Sequence, residues 1–132
     1  MSSDGEARTA FQEWLGFESE YRDDGVVEAK LPYDEKLSNP FGVINGSIVT
    51  ALVDLGSGAA LRAAMGGDGQ LATVDLNVRF LAPAMADLRA EVRPIKASGS
   101  IGVTRADVTQ YPEDGEPELV AVGSTAYRLF GE

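Results

Sequence analysis

One long apolar segment, Ile44–Met65, constrains the fold of this chain more than any other feature. It contains a single acidic residue, Asp54. Its length suits an α-helix, and the Gly66-Gly67 pair that follows predicts where the helix ends. Burying a carboxylate in an apolar helix costs free energy unless a partner or a function compensates it. The segment therefore predicts one long helix, about Ser47–Met65, with an acid near its middle that has a structural or a functional role.

The apolar pattern on either side of this segment predicts a mixed fold. Ala7–Leu15 carries apolar residues at helical spacing, which predicts a short leading helix. Strands are predicted within Phe17–Leu31 (a hairpin turning at Asp23-Asp24-Gly25), Ala72–Phe80, Leu88–Lys96, Ile101–Gln110 and Glu118–Phe130, with a loop over Pro32–Gly46. A sheet with one apolar face must be covered, and one long apolar helix can cover it. We therefore predict a single α+β domain over residues 1–132, an antiparallel sheet wrapped around one central helix.

Details within these segments predict local geometry. Residues 72–80 alternate strictly, so Thr73 and Asn77 are expected on one face of their strand and Val74 on the other. Pro94 indicates an edge or a bulge, because it cannot donate to a strand ladder. Gly56 and Gly58 each weaken a helix by about 1 kcal/mol relative to Ala. We therefore expect another part of the backbone to pass close to them.

The composition excludes several classes of function. The chain has no Cys and no His, so it cannot form a disulfide, a zinc site built on Cys or His, or a Ser-His-Asp or Cys-His catalytic set. The net charge of −10 disfavours nucleic acid as a partner, because binding it requires clustered Lys and Arg. Catalysis would use carboxylates, hydroxyls, amides, the few basic residues or an external cofactor; we predict neither a cofactor nor a metal.

The charge also bears on where the protein works. Arg outnumbers Lys eight to three, and abundant acid with scarce Lys resembles proteins adapted to a salt-rich cytoplasm, where a strongly charged surface stays soluble. The alternative is an ordinary acidic bacterial protein, and unfolding at low salt would separate the two. No hydrophobic export segment opens the chain, and we expect no membrane span because Asp54 and several glycines interrupt the best candidate. We therefore predict a soluble, cytoplasmic protein.

The start of the predicted helix suits acyl chemistry. The run Asn39–Ser47 turns from a loop directly into the helix, whose first amides are unpaired and whose dipole favours negative charge. The Gly46 and Ser47 amides are therefore candidate donors to an oxyanion, and Asn45 or Ser47 can also cap the helix. A helical projection places Asp54 on a face of small and polar residues shared with Ser47, Thr50, Ser57, Gly58 and Leu61.

This segment resembles the hotdog-fold acyl-CoA thioesterases, most closely their phenylacetate-degradation (PaaI-like) branch. In that family the segment runs Asn, several residues, Gly, two or three residues, His-Gly-Gly, and then an apolar helix with a catalytic Asp or Glu. Asn39, Gly42 and Gly46 match this pattern. Asp54 stands at the position of the catalytic acid, with the nine-residue spacing from Asn45 preserved.

The resemblance extends over Ala7–Phe130, with departures. Thr73–Ala84 resembles the family's second strand and its Pro-containing exit. Asn45 stands where the family has His, and Ser47 replaces the second glycine. At the turn after the third strand, where the family often has Gly followed by a basic residue, this chain has Ser98-Gly99-Ser100.

The resemblance implies a hydrolase that cleaves a medium-chain or aromatic acyl-CoA to the free acid and CoA. Asp54 is then the nucleophile or the general base; the alternative is a structural acid that bonds Thr50, Ser57 or an amide. The Gly46 and Ser47 amides form the oxyanion hole. Asn39 and Asn45 orient water or the thioester, although Asn39 could equally be only a turn residue. Substrate contacts are expected from Thr50, Ser57, Gly58 and Asn77, and contacts with the CoA phosphates from Lys96, Arg62, Arg79 or Arg105.

The spacing within the helix also predicts how the chain assembles. Asp54 lies roughly 10 Å along the helix from the oxyanion amides of its own chain, so one acyl carbon cannot easily touch both. Paired hotdog subunits place the acid of one chain opposite the helix start of the other, which implies a homo-oligomer, a dimer or a dimer of dimers, with a shared site.

Two other functions stay open at the level of sequence. One is a hotdog module that binds acyl or aryl thioesters without hydrolysing them, favoured by Asn45 in place of His. The other is a lyase or dehydratase acting on acyl-CoA, disfavoured because those enzymes usually pair a His with an acid. Since Asn cannot titrate, an active site of this composition should lose activity only in acid, with no inflection near neutrality.

Overall fold

A long helix and a six-stranded sheet make up most of the structure, a computed structural model that describes residues 8–67 and 69–130. In chain order the elements are α1 (Ala10–Leu15), β1 (Glu18–Tyr21), β2 (Val27–Leu31), a short 3-10 turn (Glu35–Leu37), α2 (Gly46–Ala64), β3 (Gln70–Phe80), β4 (Asp87–Ser98), β5 (Ile101–Tyr111) and β6 (Glu118–Phe130). The predicted α+β hotdog architecture, one long helix against an antiparallel sheet, is confirmed.

The sheet is antiparallel throughout, in the order β1-β2-β4-β5-β6-β3, so β1 and β3 form its edges. Helix α2 packs against all six strands on one face. The main core lies between that helix and the sheet. The α2 residues buried in this way are Val49, Leu52, Val53, Gly56, Ser57, Ala60 and Leu61.

The first helix is shorter than predicted because a capping box fixes its start. The Thr9 hydroxyl accepts a hydrogen bond from the Gln12 amide at 3.1 Å, and the Gln12 side chain accepts one from the Thr9 amide at 3.2 Å. Helix α1 therefore begins at Ala10; the predicted start, Ala7, lies outside the described residues.

Helix α2 begins and ends within one residue of the prediction. Gly66 and Gly67 follow it with φ values of +84° and +91°, the left-handed conformation in which glycine commonly ends helices. Asn45 occupies the N-cap position, but its side chain makes no capping hydrogen bond. The expectation that Asn45 caps the helix through its side chain is therefore wrong, and the first turn keeps unpaired amides.

By length and composition alone, α2 could cross a membrane. This corrects the expectation that Asp54 and the glycines would disqualify it. The same test is passed by core helices of proteins that never enter a membrane, and α2 is packed along one face against the sheet. The structure therefore uses this helix as the cover of a sheet.

Two bulges interrupt the strands. The register of β4 with β5 shifts between Pro94 and Lys96; of the edge or bulge predicted from Pro94, the structure has a bulge. The register of β3 with β6 shifts between Thr73 and Asp75, and this bulge was not predicted. Because Val74 is the extra residue, Thr73 turns toward α2 instead of sharing a face with Asn77. The strict alternation predicted for this strand is therefore wrong at its beginning.

Candidate active site

The Asp54 carboxylate is partly exposed at the middle of α2 and is held by two hydroxyl groups. One of its oxygens, Oδ1, accepts a hydrogen bond from the Thr73 hydroxyl at 2.9 Å and lies 2.6 Å from the Tyr127 hydroxyl. Neither Thr50 nor Ser57, the partners expected for a purely structural acid, bonds this carboxylate. Its second oxygen accepts no hydrogen bond from any residue in the described ranges.

Tyr127 was not predicted to belong to the site. Its side chain is only 5% exposed. Its hydroxyl also lies 2.6 Å from the backbone carbonyl oxygen of Asp54, so its one hydrogen is shared between that oxygen and Oδ1. Burial, followed by the hydrogen bond to Asp54, raises the pKa of Tyr127 well above its ordinary value, although the Thr73 hydroxyl and then the charge of Arg62 act in the opposite direction. The phenol therefore stays protonated and remains a donor at neutral pH.

Thr73 reaches Asp54 because of the bulge in β3. Thr73 is the register partner of Tyr127 on the neighbouring strand, so the two hydroxyls approach the carboxylate side by side from the edge of the sheet. Without the shift at Val74, Thr73 would lie on the opposite face from Leu76, which packs against the core. The bulge re-aims one side chain at the acid, as bulges near functional sites often do.

The Asp54 side chain lines a cavity of about 750 Å³. This volume is within the range of ligand pockets. The α2 residues along it begin at Asp54 and continue through Leu55, Gly58, Ala59 and Arg62 to Ala63, followed by Gly66 and Gly67 beyond the helix, and the opposite walls come from α1, β1, β2, β3 and β6. The lining combines apolar side chains such as Phe17 and Leu71 with polar ones such as Gln12 and Glu20. The cavity can thus hold an apolar group close to a carboxylate.

The start of α2 lies in different surroundings. Asn45, Gly46 and Ser47 are exposed, and the Gly46 and Ser47 amides donate to no described residue. The Phe80 ring packs against Gly46 so closely that a Cβ there would lie 3.2 Å from Phe80 Cζ. A second cavity, about 520 Å³, opens here between the residues before the helix and the chain after β3, and all of its lining residues are apolar or glycine.

One chain does not bring these two groups together. Seven residues separate Ser47 from Asp54, about 10 Å of helix, and no residue lines both cavities. The Thr50 side chain lies between them and donates to the Gly46 carbonyl oxygen at 2.8 Å. A hydroxyl that bonds back to its own helix is already used, so Thr50 does not connect the two cavities.

Asn39 organises the loop that leads into α2. Its side-chain oxygen accepts hydrogen bonds from the Phe41 amide at 2.9 Å and the Val43 amide at 3.1 Å, the arrangement of an Asx turn. This is the structural role that the sequence left open for Asn39. Its side-chain NH₂ group donates to no residue in the described part of the chain, so it can still contact a ligand.

The remaining predicted contacts divide between the cavity and other parts of the fold. Gly58 lines the large cavity, beside the Tyr127 hydroxyl. Ser57 is 0% exposed and bonds the Thr104 hydroxyl at 2.7 Å, so its placement contradicts a substrate contact. Asn77 is exposed opposite Ser124 on β6. It alternates with core-facing residues and therefore points to the face of the sheet away from Asp54.

Comparison with known proteins places the chain in a family. Residues 41–115 match the model of the thioesterase superfamily. A protein named putative esterase from Halobacterium salinarum is 36% identical over 124 residues, 89% of this chain and 82% of that protein.

Solved structures agree in fold. A thioesterase family protein from Silicibacter pomeroyi has a TM-score of 0.88 at 25% identity, covering 98% of this chain and 95% of its own. A putative thioesterase from Ralstonia eutropha, a phenylacetic acid degradation-related protein, has a TM-score of 0.80 at 23% identity, covering 95% and 93%. From the family match and the Halobacterium relative, the chain belongs to the thioesterase superfamily.

Proposed function

We propose that this protein is an acyl-CoA thioesterase of the phenylacetate-degradation type, with the Asp54 carboxylate as its general base or nucleophile. The observation that carries the proposal is the state of the Asp54 carboxylate. One oxygen is held by two hydroxyl donors, and the other is free of hydrogen bonds from the described residues beside a cavity of about 750 Å³. The second oxygen is thus left to water or to a ligand in the cavity.

The chemistry requires one base and one oxyanion site. As a general base, Asp54 takes a proton from a water that attacks the thioester carbonyl carbon. The C–S bond then breaks, the thiolate of CoA takes up the proton, and the free acid remains. As a nucleophile, Asp54 would instead form a mixed anhydride that water hydrolyses. Both routes place negative charge on the carbonyl oxygen, which needs donors.

We assign those donors to the Gly46 and Ser47 amides of a second copy of the chain. The β3 edge supports this assignment, because an unpaired edge strand with exposed apolar residues is a surface for pairing with another strand. Val74 is 60% exposed on that edge, and Phe80 is 51% exposed where β3 ends near the helix start. A pair of copies joined along β3 can bring the helix start of one chain toward Asp54 of the other. Association of such dimers into a tetramer stays a prediction.

The cavity supports a medium-chain or aromatic acyl group. Leu55, Ala59 and Leu71 offer apolar surface near Asp54, and Arg62 is the one candidate for the CoA phosphates that lines the cavity. Arg79 and Arg105 are exposed on β3 and β5. The net charge of −10 and the scarcity of Lys support a protein adapted to high salt, and a cytoplasmic location stays a prediction.

A second candidate function is a module that binds acyl or aryl thioesters without hydrolysing them. Asn45 favours it, because it stands where the family has His and its exposed side chain caps nothing. An Asn can orient a substrate but cannot transfer a proton.

Hydrolysis of a panel of acyl-CoAs, assayed at high and low salt, separates the two functions. We expect the wild type to release CoA and Asp54→Asn to do so about 100- to 10,000-fold more slowly. Asp75→Asn is the matched control, since it removes an equivalent charge from an exposed position on β3. If wild type and Asp54→Asn release CoA equally slowly while calorimetry detects acyl-CoA binding, the binding module is correct. Unfolding in dilute buffer would support the adaptation to salt.

A further inference from the structure

We infer that Tyr127 is a positioning residue, whose hydroxyl holds the Asp54 carboxylate in one rotamer so that its second oxygen stays available to the cavity. The inference rests on the proposed function only for its effect on catalysis. The contact itself joins α2 to β6 across 73 residues of sequence, with 2.6 Å between the phenol and Oδ1. No other described tyrosine contacts this acid.

The rigidity of Tyr127 makes it suited to this task. Its ring belongs to a small buried cluster with Leu61 and Leu129, and β6 lies between two other strands. Gly58 has no side chain to displace the phenol; a Cβ there would be 3.5 Å from the hydroxyl. The hydroxyl therefore has a fixed position, whereas an Asp on a partly exposed helix face would otherwise sample several χ1 rotamers.

The two donors to Asp54 are not equivalent. Thr73 is an exposed residue at a bulge on the edge strand β3, where the backbone is less constrained than in the centre of the sheet. Tyr127 is buried on the neighbouring, fully paired strand. The other charged groups that line this cavity are Arg62 on α2 and Glu20 on β1, whose carboxylate lies 3.9 Å from the Lys30 ammonium group. We therefore assign the orientation of Asp54 to Tyr127 rather than to Thr73.

Tyr127→Phe tests the inference because it removes the hydroxyl and keeps the ring. We expect kcat to fall by about tenfold or more with little change in KM, since a hydrogen bond to a charged group is lost while the cavity keeps its shape. Tyr111→Phe is the matched control: its ring is exposed at the end of β5 beneath Arg89, and the variant should behave as wild type. A rise in KM with unchanged kcat would contradict a positioning role.

A second measurement needs no substrate. The three-bond NMR couplings from the Asp54 carboxyl carbon to its backbone nitrogen and carbonyl carbon report its χ1 rotamer. We expect one rotamer in the wild type and in Thr73→Val, and rotamer averaging in Tyr127→Phe. A single Asp54 rotamer in Tyr127→Phe would overturn the inference, and so would rotamer averaging in Thr73→Val. If Tyr127→Phe does not fold, the Thr73→Val measurement decides the question. The rotamer result can contradict the role of Tyr127 while thioesterase activity is observed, and activity can be absent while the rotamer result supports that role. The two proposals are therefore tested separately.

Discussion

The start of α2 and its middle meet the sheet in opposite ways. At the start, exposed Gly46 and Ser47 present amide donors that have no acceptor among the described residues, and the contact from the sheet is the apolar ring of Phe80. At the middle, Asp54 is an acceptor that the sheet supplies with two hydroxyl donors, from Thr73 and Tyr127. One end of the proposed site is left open, and the other is held in place.

This difference suits the start and the middle of α2 to two different chemical roles in the proposed site. An oxyanion needs donors that are free until the charge develops, whereas a base or nucleophile needs a fixed orientation. The two requirements are met about 10 Å apart on the same helix. Under the proposed function, neither half is sufficient alone, and a second copy of the chain would complete the site.

Among changes at the start of α2, Gly46→Pro gives the largest expected effect, because it removes one amide hydrogen from the open end. Pro is tolerated at the first position of a helix. Asn45 already has φ −57° and ψ 141°, an extended conformation that suits a residue before Pro. The fold should therefore persist, while kcat for hydrolysis of the best acyl-CoA falls by about 100- to 1,000-fold. Steady-state kinetics with a thiol reagent measures it.

Gly46→Ala is the control for the new side chain. It keeps the amide hydrogen and adds a methyl group about where Pro adds its ring, 3.2 Å from Phe80. Phe80 is half exposed and can shift, so we expect this variant to retain most of its activity. Equal losses in Gly46→Ala and Gly46→Pro would assign the effect to the packing of Phe80, and the amide would not be an oxyanion donor.

Mixing two inactive variants tests whether the halves belong to different chains. If Asp54→Asn and Gly46→Pro chains are refolded together, a shared site predicts that each mixed dimer contains one intact site and one doubly altered site. With random pairing, about half of the dimers are mixed, so the activity should recover to about a quarter of the wild-type value. CoA release by the mixture, compared with each variant refolded alone, measures the recovery.

A mixture that is no more active than either variant refolded alone would contradict a site shared between two chains. In that case native mass spectrometry, with one variant isotopically labelled, shows whether mixed oligomers formed. Mixed oligomers without activity would mean that the two halves are not shared between chains, and so would the absence of any oligomer. Because Gly46 and Asp54 of one chain are too far apart to contact one acyl carbon, Asp54 would then have to work without the Gly46 amide.

The fold was predictable where periodicity decides the structure. The apolar segment before Met65 and the pattern of Glu118–Phe130 reproduce α2 and β6 closely, because burial of one face fixes both the period and the direction of the side chains. The bulge at Val74 was not predictable in this way. It depends on the register between β3 and β6, and the local sequence alternates as regularly as that of any unbroken strand.

The site was predictable in part for the same reason. Asp54 is conspicuous as the one acid in an apolar helix, but its contact with Tyr127 spans 73 residues and follows from strand order, which no local pattern contains. Ser57 was misassigned because a helical projection places it on the same face as Asp54, although α2 contacts all six strands of the sheet. Thr104 on β5 reaches Ser57 from that sheet, and the neighbouring hydroxyl of Thr125 extends the buried contact.

The smallest expected effects concern Gly56 and Gly58, which lie on different faces of α2 near its middle. At Gly56 a Cβ would lie 3.0 Å from Val92 Cγ2 and 3.2 Å from the Ala29 Cβ. These are side-chain atoms, so the expectation that another part of the backbone passes close to this glycine is wrong, although the sheet does crowd it. Gly56→Ala should therefore destabilise the fold by about 1–3 kcal/mol through overpacking. Gly58→Ala meets only ordinary contacts, and the helix propensity of Ala should stabilise the fold by up to about 1 kcal/mol.

The same pair separates stability from function. The methyl group of Gly58→Ala enters the cavity beside Asp54, so kcat/KM should fall more for bulky acyl groups than for short ones although the protein is more stable. In Gly56→Ala the cavity is unchanged, so the ratio of kcat/KM between the two acyl groups should stay at the wild-type value although the protein is less stable. Urea unfolding and kcat/KM for two acyl lengths provide both numbers. If the acyl preference followed stability in both variants, the cavity at the middle of α2 would not be the acyl site, because its shape would then have no influence on which substrate is used.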